Sequence, residues 1–184
     1  MAVMLTKSEA TIDDLYNAEG KAELVDGEIQ LMSPTGDDPS NAAFEIAVSL
    51  REYARRTGVG RAKTDNAGFT VNLPRRKSFS PDVAFHTGPG TGMKFRNGAP
   101  VFAVEVRSEN DYSAKAELRI AAKRADYFAA GTLVVWDVDL LGEEVIKSYR
   151  VDDPDKPTVY RREDVADAEP AVPGWSMAVA DLFA

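Results

Sequence analysis

Cysteine is absent from the 184 residues. That one lack excludes disulfides, thiolate nucleophiles and cysteine-ligated zinc together, and it suits a reducing compartment. Histidine occurs once, at His86. It falls just beyond a predicted strand and reads as a surface strand end rather than a catalytic group. Long apolar runs are also missing. No segment could span a membrane, and the opening MAVMLTKSEATIDD turns polar too early for a signal peptide. The expectation is a cytoplasmic protein. No internal repeat, coiled coil or low-complexity tail is present. A basic excess is lacking too: thirty acidic residues against 22 basic ones give a net charge of −8. Surfaces that bind nucleic acid are ordinarily basic, because phosphate neutralisation supplies most non-specific affinity. An acidic total can still hide a local basic patch. Arg51, Arg55, Arg56, Arg61 and Lys63 form one basic stretch; Arg75, Arg76 and Lys77 form another. The simplest reading of both is solvated surface.

What remains is ordinary for a globular domain, at 44% hydrophobic and 28% charged residues. The length suits one domain over residues 1–184. Thr11 and Asp14 form a capping-box pattern that predicts a short helix over 11–18. In AELVDGEIQLM, two apolar-rich runs flank Asp26-Gly27, the signature of a tight hairpin. TGDDPS reads as a loop. Residues 40–57 repeat apolar side chains at helical spacing (Ala43, Ile46, Ala47, Leu50, Tyr53, Ala54) and stop at Gly58. Strand-like runs follow at 61–65, 69–73 and 81–85, the last opened by Pro81. Residues 87–99 form a glycine-rich loop without the Gly-Lys-Ser/Thr ending of a phosphate cradle. Val101–Val106 and Leu133–Val138 read as strands buried on both faces. Ser108-x-x-Asp111 reads as the cap of a helix ending at Gly131. Residues 143–150 and 158–162 predict a closing hairpin, and Trp175, Leu182 and Phe183 a tail packed on the body. Strands alternating with helices argue for an α/β fold with a mixed sheet.

Glu105 is the most informative residue, because a carboxylate inside a buried strand costs several kcal/mol unless it is paired or bound to a metal. Asp82 opens one strand and Glu105 ends another. Two carboxylates converging from neighbouring strands would form a hard oxygen site suited to magnesium. On spacing alone the reading stays open, since a Pro-Asp pair is common and a buried glutamate can be a satisfied salt bridge.

Taken in order, the motifs carry a resemblance. They are Glu23-Leu24-Val25-Asp26-Gly27-Glu28 with Ser33-Pro34, then Pro81-Asp82-Val83-Ala84-Phe85, then Pro100 to Val106 with Ser108. Lys123, Tyr127 and Gly131 follow, then Val135-Trp136, Val138-Asp139, Val172-Pro173-Gly174-Trp175 and Ala180-Asp181-Leu182-Phe183. This series resembles the Uma-two family of restriction endonucleases, within the PD-(D/E)XK nuclease superfamily. The resemblance implies a restriction endonuclease-like fold: a central mixed β-sheet flanked by helices, with N-terminal hairpin and C-terminal β-hairpin additions. It implies a magnesium ion, or manganese in its place, held by Asp82, Glu105 and Val106. It implies a lysine moved onto the following helix, where Lys123 matches, and Glu23 as a further acidic member. The substrate would be DNA. Separately, the apolar closing hairpin and tail offer a surface for a homodimer, and cutting both strands would need two sites.

Two departures stand against that pattern. Residues 39–43, where many members carry a histidine, hold none, and Arg107 replaces the usual apolar residue, where it could neutralise the site. The acidic net charge and the missing histidine support the rival reading of a catalytically weak or inactive nuclease-fold protein that acts as a binding module. On the helix after Glu105, Leu118, Ala121, Ala122, Ala125 and Ala129 form one apolar stripe. Ala116, Ile120 and Tyr127 form a second that frames Lys123. Lys115 and Arg119 fall between the stripes with Asp126, where solvated ion pairs are expected. Tyr127 and Trp136 read as core rather than base-stacking residues.

Overall fold

The computed structural model describes residues 9–184. Residues 1–8, on which the leader-peptide reading partly rests, lie outside them. Helix α1 (Ile12–Tyr16) starts on the capping box, with both reciprocal hydrogen bonds made between Thr11 and Asp14. Strands β1 (Ala22–Val25) and β2 (Glu28–Leu31) form the expected hairpin. Its turn works because Asp26 and Gly27 both take positive φ, 52° and 71°.

Helix α2 (Asp37–Thr57) begins earlier than its apolar periodicity suggests. Pro39 is tolerated in a first turn, where its missing N–H has no partner to lose, and Asp37 and Asp38 complement the helix dipole there. Gly58 ends it at a φ of 73°. Short strands β3 (Arg61–Lys63), β4 (Phe69–Thr70) and β5 (Ser78–Phe79) lead to β6 (Val83–His86). The glycine-rich segment is not wholly loop: β7 (Arg96–Asn97) pairs with β4 in parallel. Then come β8 (Phe102–Val106), α3 (Ala114–Ala129), β9 (Val134–Val138), β10 (Ile146–Arg150) and β11 (Asp153–Tyr160). The chain closes with β12 (Val165–Asp167), β13 (Ser176–Ala178) and a 3-10 turn over Val179–Phe183.

The central sheet has six strands in the order β11-β10-β9-β8-β6-β3. Only β8 and β9 run parallel within it, joined through α3; the other neighbours are antiparallel. This is the mixed sheet with helices that the residue pattern predicts. No helix among the described residues is long and apolar enough to cross a membrane.

The two faces of the sheet differ. On one, α2 lays Ile46, Leu50 and Tyr53 onto Val83, Phe85, Phe102, Val104 and Trp136. The tail adds Trp175, Val179 and Leu182 to the same core, as expected from the sequence. Phe102, Trp136 and Trp175 meet with ring centroids 5.1 to 5.8 Å apart. On the other face a smaller cluster joins Ala84, Ala103 and Val135 to Phe69, Phe79 and Tyr127, with Phe79 stacked on Tyr127 at 4.0 Å.

Helix α3 shows which of its stripes is buried. Ala116 and Tyr127 are buried, whereas Leu118 is 74% exposed. The stripe framing Lys123 therefore packs inward, and the Leu118 stripe faces water. The helix also starts later than Ser108-x-x-Asp111 suggests. That segment closes a turn of its own, with Asp111 accepting from the Ser108 amide and hydroxyl, and Ser113 caps the helix.

Candidate metal centre

The register of β6 against β8 sets Val83 opposite Val104 and Ala84 opposite Ala103. One rung further, Asp82 faces Glu105, and both point to the α3 side of the sheet. Pro81 has no N–H for the ladder, so regular pairing ends there. The Asp82 side chain continues the connection, accepting the Val106 amide on Oδ2 at 2.8 Å.

Glu105 is held from α3. Its Oε1 accepts from the Tyr127 hydroxyl at 2.7 Å and pairs with Lys123 Nζ at 2.7 Å. Lys123 and Tyr127 are four residues apart on one helical face, which brings both to the same carboxylate. Tyr127 is fully buried, so it is core, as expected, while its hydroxyl donates to Glu105. Lys123 reaches a second carboxylate, Glu23 Oε1, at 2.9 Å. Glu23 is buried rather than turned outward on a half-exposed strand. It also accepts the Ser80 amide at 2.8 Å and the Arg76 guanidinium at 2.5 Å. Arg76 continues to Asp126 at 2.8 Å. One of the three basic residues expected on a solvated surface is thus buried as a structural clamp. A lone charge could not be buried at that cost, and Glu23 and Asp126, distant in sequence, supply its partners.

The other end of the array belongs to Lys21, which the sequence reading missed. Its ammonium lies 2.6 Å from Asp82 Oδ1 and 2.5 Å from Asp65 Oδ1. The available signal was its position two residues before Glu23, on the same side of an extended segment. Ion pairs therefore run on both sides of the Asp82–Glu105 pair: Asp65, Lys21 and Asp82 on one side, and Glu105, Lys123, Glu23, Arg76 and Asp126 on the other.

The Glu105 carboxyl is raised to about 7, chiefly by burial with Asp82 and Glu23 adding to it, against the opposing pull of Lys123 and Lys21. Burial works against the Lys123 charge, but Glu105 and Glu23 outweigh it and hold its pKa above the usual lysine range. Glu23 is raised by burial and lowered more strongly by Lys123 and Arg76, so it is held ionised.

Arg107 and His86 lie elsewhere than expected. Arg107 does not neutralise the Asp82–Glu105 pair. It forks onto Asp137 with two contacts of 2.8 Å and also pairs with Glu117. Asp137 stands beside Glu105 on β9, so a third acid of the same rung is already consumed. His86 is 4% exposed. It is buried, not a surface strand end, because β3 and the β4–β5–β7 layer close over it. Burial and the nearby Arg96, Lys63 and Arg61 hold its pKa down to about 4.

Among the described residues, no three acidic or histidine side chains are grouped to hold a metal ion alone. The Asp82–Glu105 pair nonetheless fits a magnesium-type ion, which takes one or two carboxylates and completes its shell with water and substrate phosphate. Burial is the main cause of the upward push on Glu105, with Asp82 and Glu23 adding to it, and a cation bound there would oppose that push.

A six-strand mixed sheet, a helix on each face and two carboxylates facing each other across adjacent strands define a restriction endonuclease-like protein. The family model of Uma2, described as "putative restriction endonuclease", matches residues 10–180. The chain belongs to the Uma2 family. It is also similar in structure to a "putative nuclease belonging to DUF820" from Anabaena variabilis ATCC 29413, with a TM-score of 0.73 and 17% identity over 95% of this chain and 97% of that one. At that identity the likeness establishes the fold. No curated protein matches the chain.

Proposed function

We propose that the protein is a magnesium-dependent endodeoxyribonuclease that hydrolyses DNA phosphodiester bonds. The observation that supports this most is the placement of Asp82 opposite Glu105 with Lys123 2.7 Å from Glu105. Asp82, Glu105 and the Val106 backbone carbonyl would hold the ion, with manganese as a substitute. When bound, the ion polarises a phosphoryl oxygen and lowers the pKa of the attacking water. In the reaction, water oxygen bonds to phosphorus as the bond to the leaving oxygen breaks. Lys123 is the cation placed to stabilise the added phosphoryl charge. Glu23, locked by Arg76 and the Ser80 amide, orients Lys123 and keeps it protonated. Tyr127 fixes the Glu105 rotamer.

The enzyme is read as one domain acting in the cytoplasm, and as a homodimer where both strands are cut. The tail spends its apolar residues in its own core, so a dimer contact would use Leu141, Val151 and Val165, exposed near the closing hairpin. Sedimentation that gives a 20.0 kDa monomer at high concentration would remove the dimer.

A second reading, a nuclease-fold binding module with little chemistry, is favoured by Lys21. Its ammonium already satisfies Asp82 Oδ1, so an ion must compete with it. The deciding experiment is a cleavage screen in magnesium and manganese on plasmid, linear and single-stranded DNA, with Asp82→Ala as control. Metal-dependent products from the wild type alone support hydrolysis. Binding without products supports the module.

A further inference from the structure

The first basic stretch of the sequence is divided by the fold. Arg51, Arg55 and Arg56 belong to α2 and lie on the exposed side of the layer opposite the metal centre. Arg61 and Lys63 belong to β3, the edge strand of the central sheet. Their rung partners are His86 and Ala84, which share a face with Asp82. Ala62, between them, packs into the α2 core, which fixes the alternation. Arg61 and Lys63 thus point to the same side as the candidate metal centre. Neither forms an ion pair among the described residues, unlike Lys21, Arg76, Arg107 and Lys123. Asp65, next on that side, is already paired to Lys21.

Arg96 joins them from β7. Its positive charge, with those of Lys63 and Arg61, is felt at His86. His86 is itself unusual: both ring nitrogens are buried and without a hydrogen-bond partner, although a buried polar atom left unpaired costs about 1–3 kcal/mol. The glycine-rich segment packs against these groups: Arg96 Nη1 donates to the Pro89 carbonyl, and Arg61 stays exposed. A Cβ at Gly88 would stand 2.9 Å from Arg96 Nη2, and one at Gly90 would stand 3.8 Å from Arg61 Nη1. Gly88 and Gly90 are not among the positive-φ positions; a Cβ would crowd Arg96 at Gly88 and make only ordinary contact with Arg61 at Gly90.

We propose that Arg61, Lys63 and Arg96, on the side of the sheet that carries the buried His86, form a phosphate-binding strip that holds the DNA backbone beside the Asp82–Glu105 centre. The strip rests on the nuclease reading and adds the path of the substrate strand. At about 3.4 Å per residue, the Lys63 rung lies about 7 Å and the Arg61 rung about 14 Å along β6 from Asp82. DNA advances about 3.4 Å per phosphate along one strand, so the strip covers roughly four nucleotides on one side of the bond to be cut. It also accounts for an acidic protein engaging DNA: the charge that matters is local and unpaired.

The test is equilibrium binding of a short fluorescent duplex without divalent ion, so that no cleavage intervenes, across about 50–200 mM salt. Wild type is compared with Arg61→Ala/Lys63→Ala and with Arg51→Ala/Arg55→Ala. The strip predicts that the first double variant loses about tenfold or more in affinity at low salt. Its log–log salt slope should fall by about 2, near 0.9 for each phosphate contact removed. The α2 variant should stay within about twofold of wild type. Manganese affinity, measured by calorimetry, should be unchanged in both, which shows an intact centre. An Arg61→Ala/Lys63→Ala protein with wild-type affinity and slope overturns the strip and leaves the nuclease reading standing. Wild type that binds through the strip but never cleaves removes hydrolysis and keeps the strip. Wild type that binds no duplex at low salt overturns both.

Discussion

The two faces of the central sheet are built from opposite materials. Facing α2, consecutive rungs carry Val83, Phe85, Phe102, Val104, Trp136 and Val138, all within 1% of full burial. Facing α3, the same strands carry Asp82, Ala84, His86, Ala103, Glu105 and Asp137. The alternation of a strand makes this division possible: one residue of each pair is committed to packing, and its neighbour is free for charge. A nearly continuous apolar run such as FAVEV hides the division, because only Glu105 breaks it. The charges of the candidate site lie on the α3 side only, beside a smaller apolar cluster, while the larger core fills the α2 side.

The division is tested most strongly by activity. Lys123→Ala should lower turnover by about two to three orders of magnitude, the usual cost of removing one charge-stabilising donor, while manganese binding is retained. Stability should also fall, by about 3–5 kcal/mol, because Glu23 and Glu105 lose their shared cation; turnover is therefore normalised to folded protein. Arg107→Ala should leave turnover per folded molecule near wild type, since Arg107 serves Asp137 and Glu117. The reverse pattern would move the active cation to Arg107.

Next comes a pair of substitutions on opposite faces. Trp136→Ala should cost about 3–5 kcal/mol in urea unfolding, the range for truncating a large buried aromatic residue. Glu105→Gln should change stability by no more than about 1 kcal/mol, because burial already disfavours the charge it removes, yet cleavage should be lost. Equal destabilisation by both would mean that Glu105 is structural.

The smallest effect concerns His86. Its pKa is held at about 4 in the fold against about 6.5 when unfolded. Between those values the unfolded chain binds more protons, so stability rises with pH. The contribution is complete above about pH 6.5 and is lost as pH falls to about 4, amounting to about 1–3 kcal/mol. His86→Phe should flatten that slope and add about 1 kcal/mol at neutral pH by removing unpaired buried nitrogens. An unchanged slope in the variant would place the titration elsewhere.

Much of this was legible in local sequence. Thr11 with Asp14, Asp26-Gly27 and Gly58 each specify a backbone event, and each occurs. The strands around Asp82, Glu105 and Trp136 follow from runs of apolar residues, and Lys123 from its apolar frame. Other features escaped because they depend on distant partners. Arg76 meets Glu23 and Asp126 across the fold, and Lys21 meets Asp65 and Asp82 across three segments. His86 ends an apolar strand, and nothing local says that a second layer will cover it. The alanine-rich α3 offered two stripes of similar weight, and only packing separates them.

The central claim is that Asp82 and Glu105 form one cation site, and manganese titration of wild type and Asp82→Asn by calorimetry tests it most directly. Wild type should bind the ion. The variant should bind none while its unfolding midpoint shifts by the equivalent of about 1 kcal/mol or less, since Lys21 keeps Asp65 as a partner. A variant that binds manganese as wild type does, or a wild type that binds none, would contradict the account.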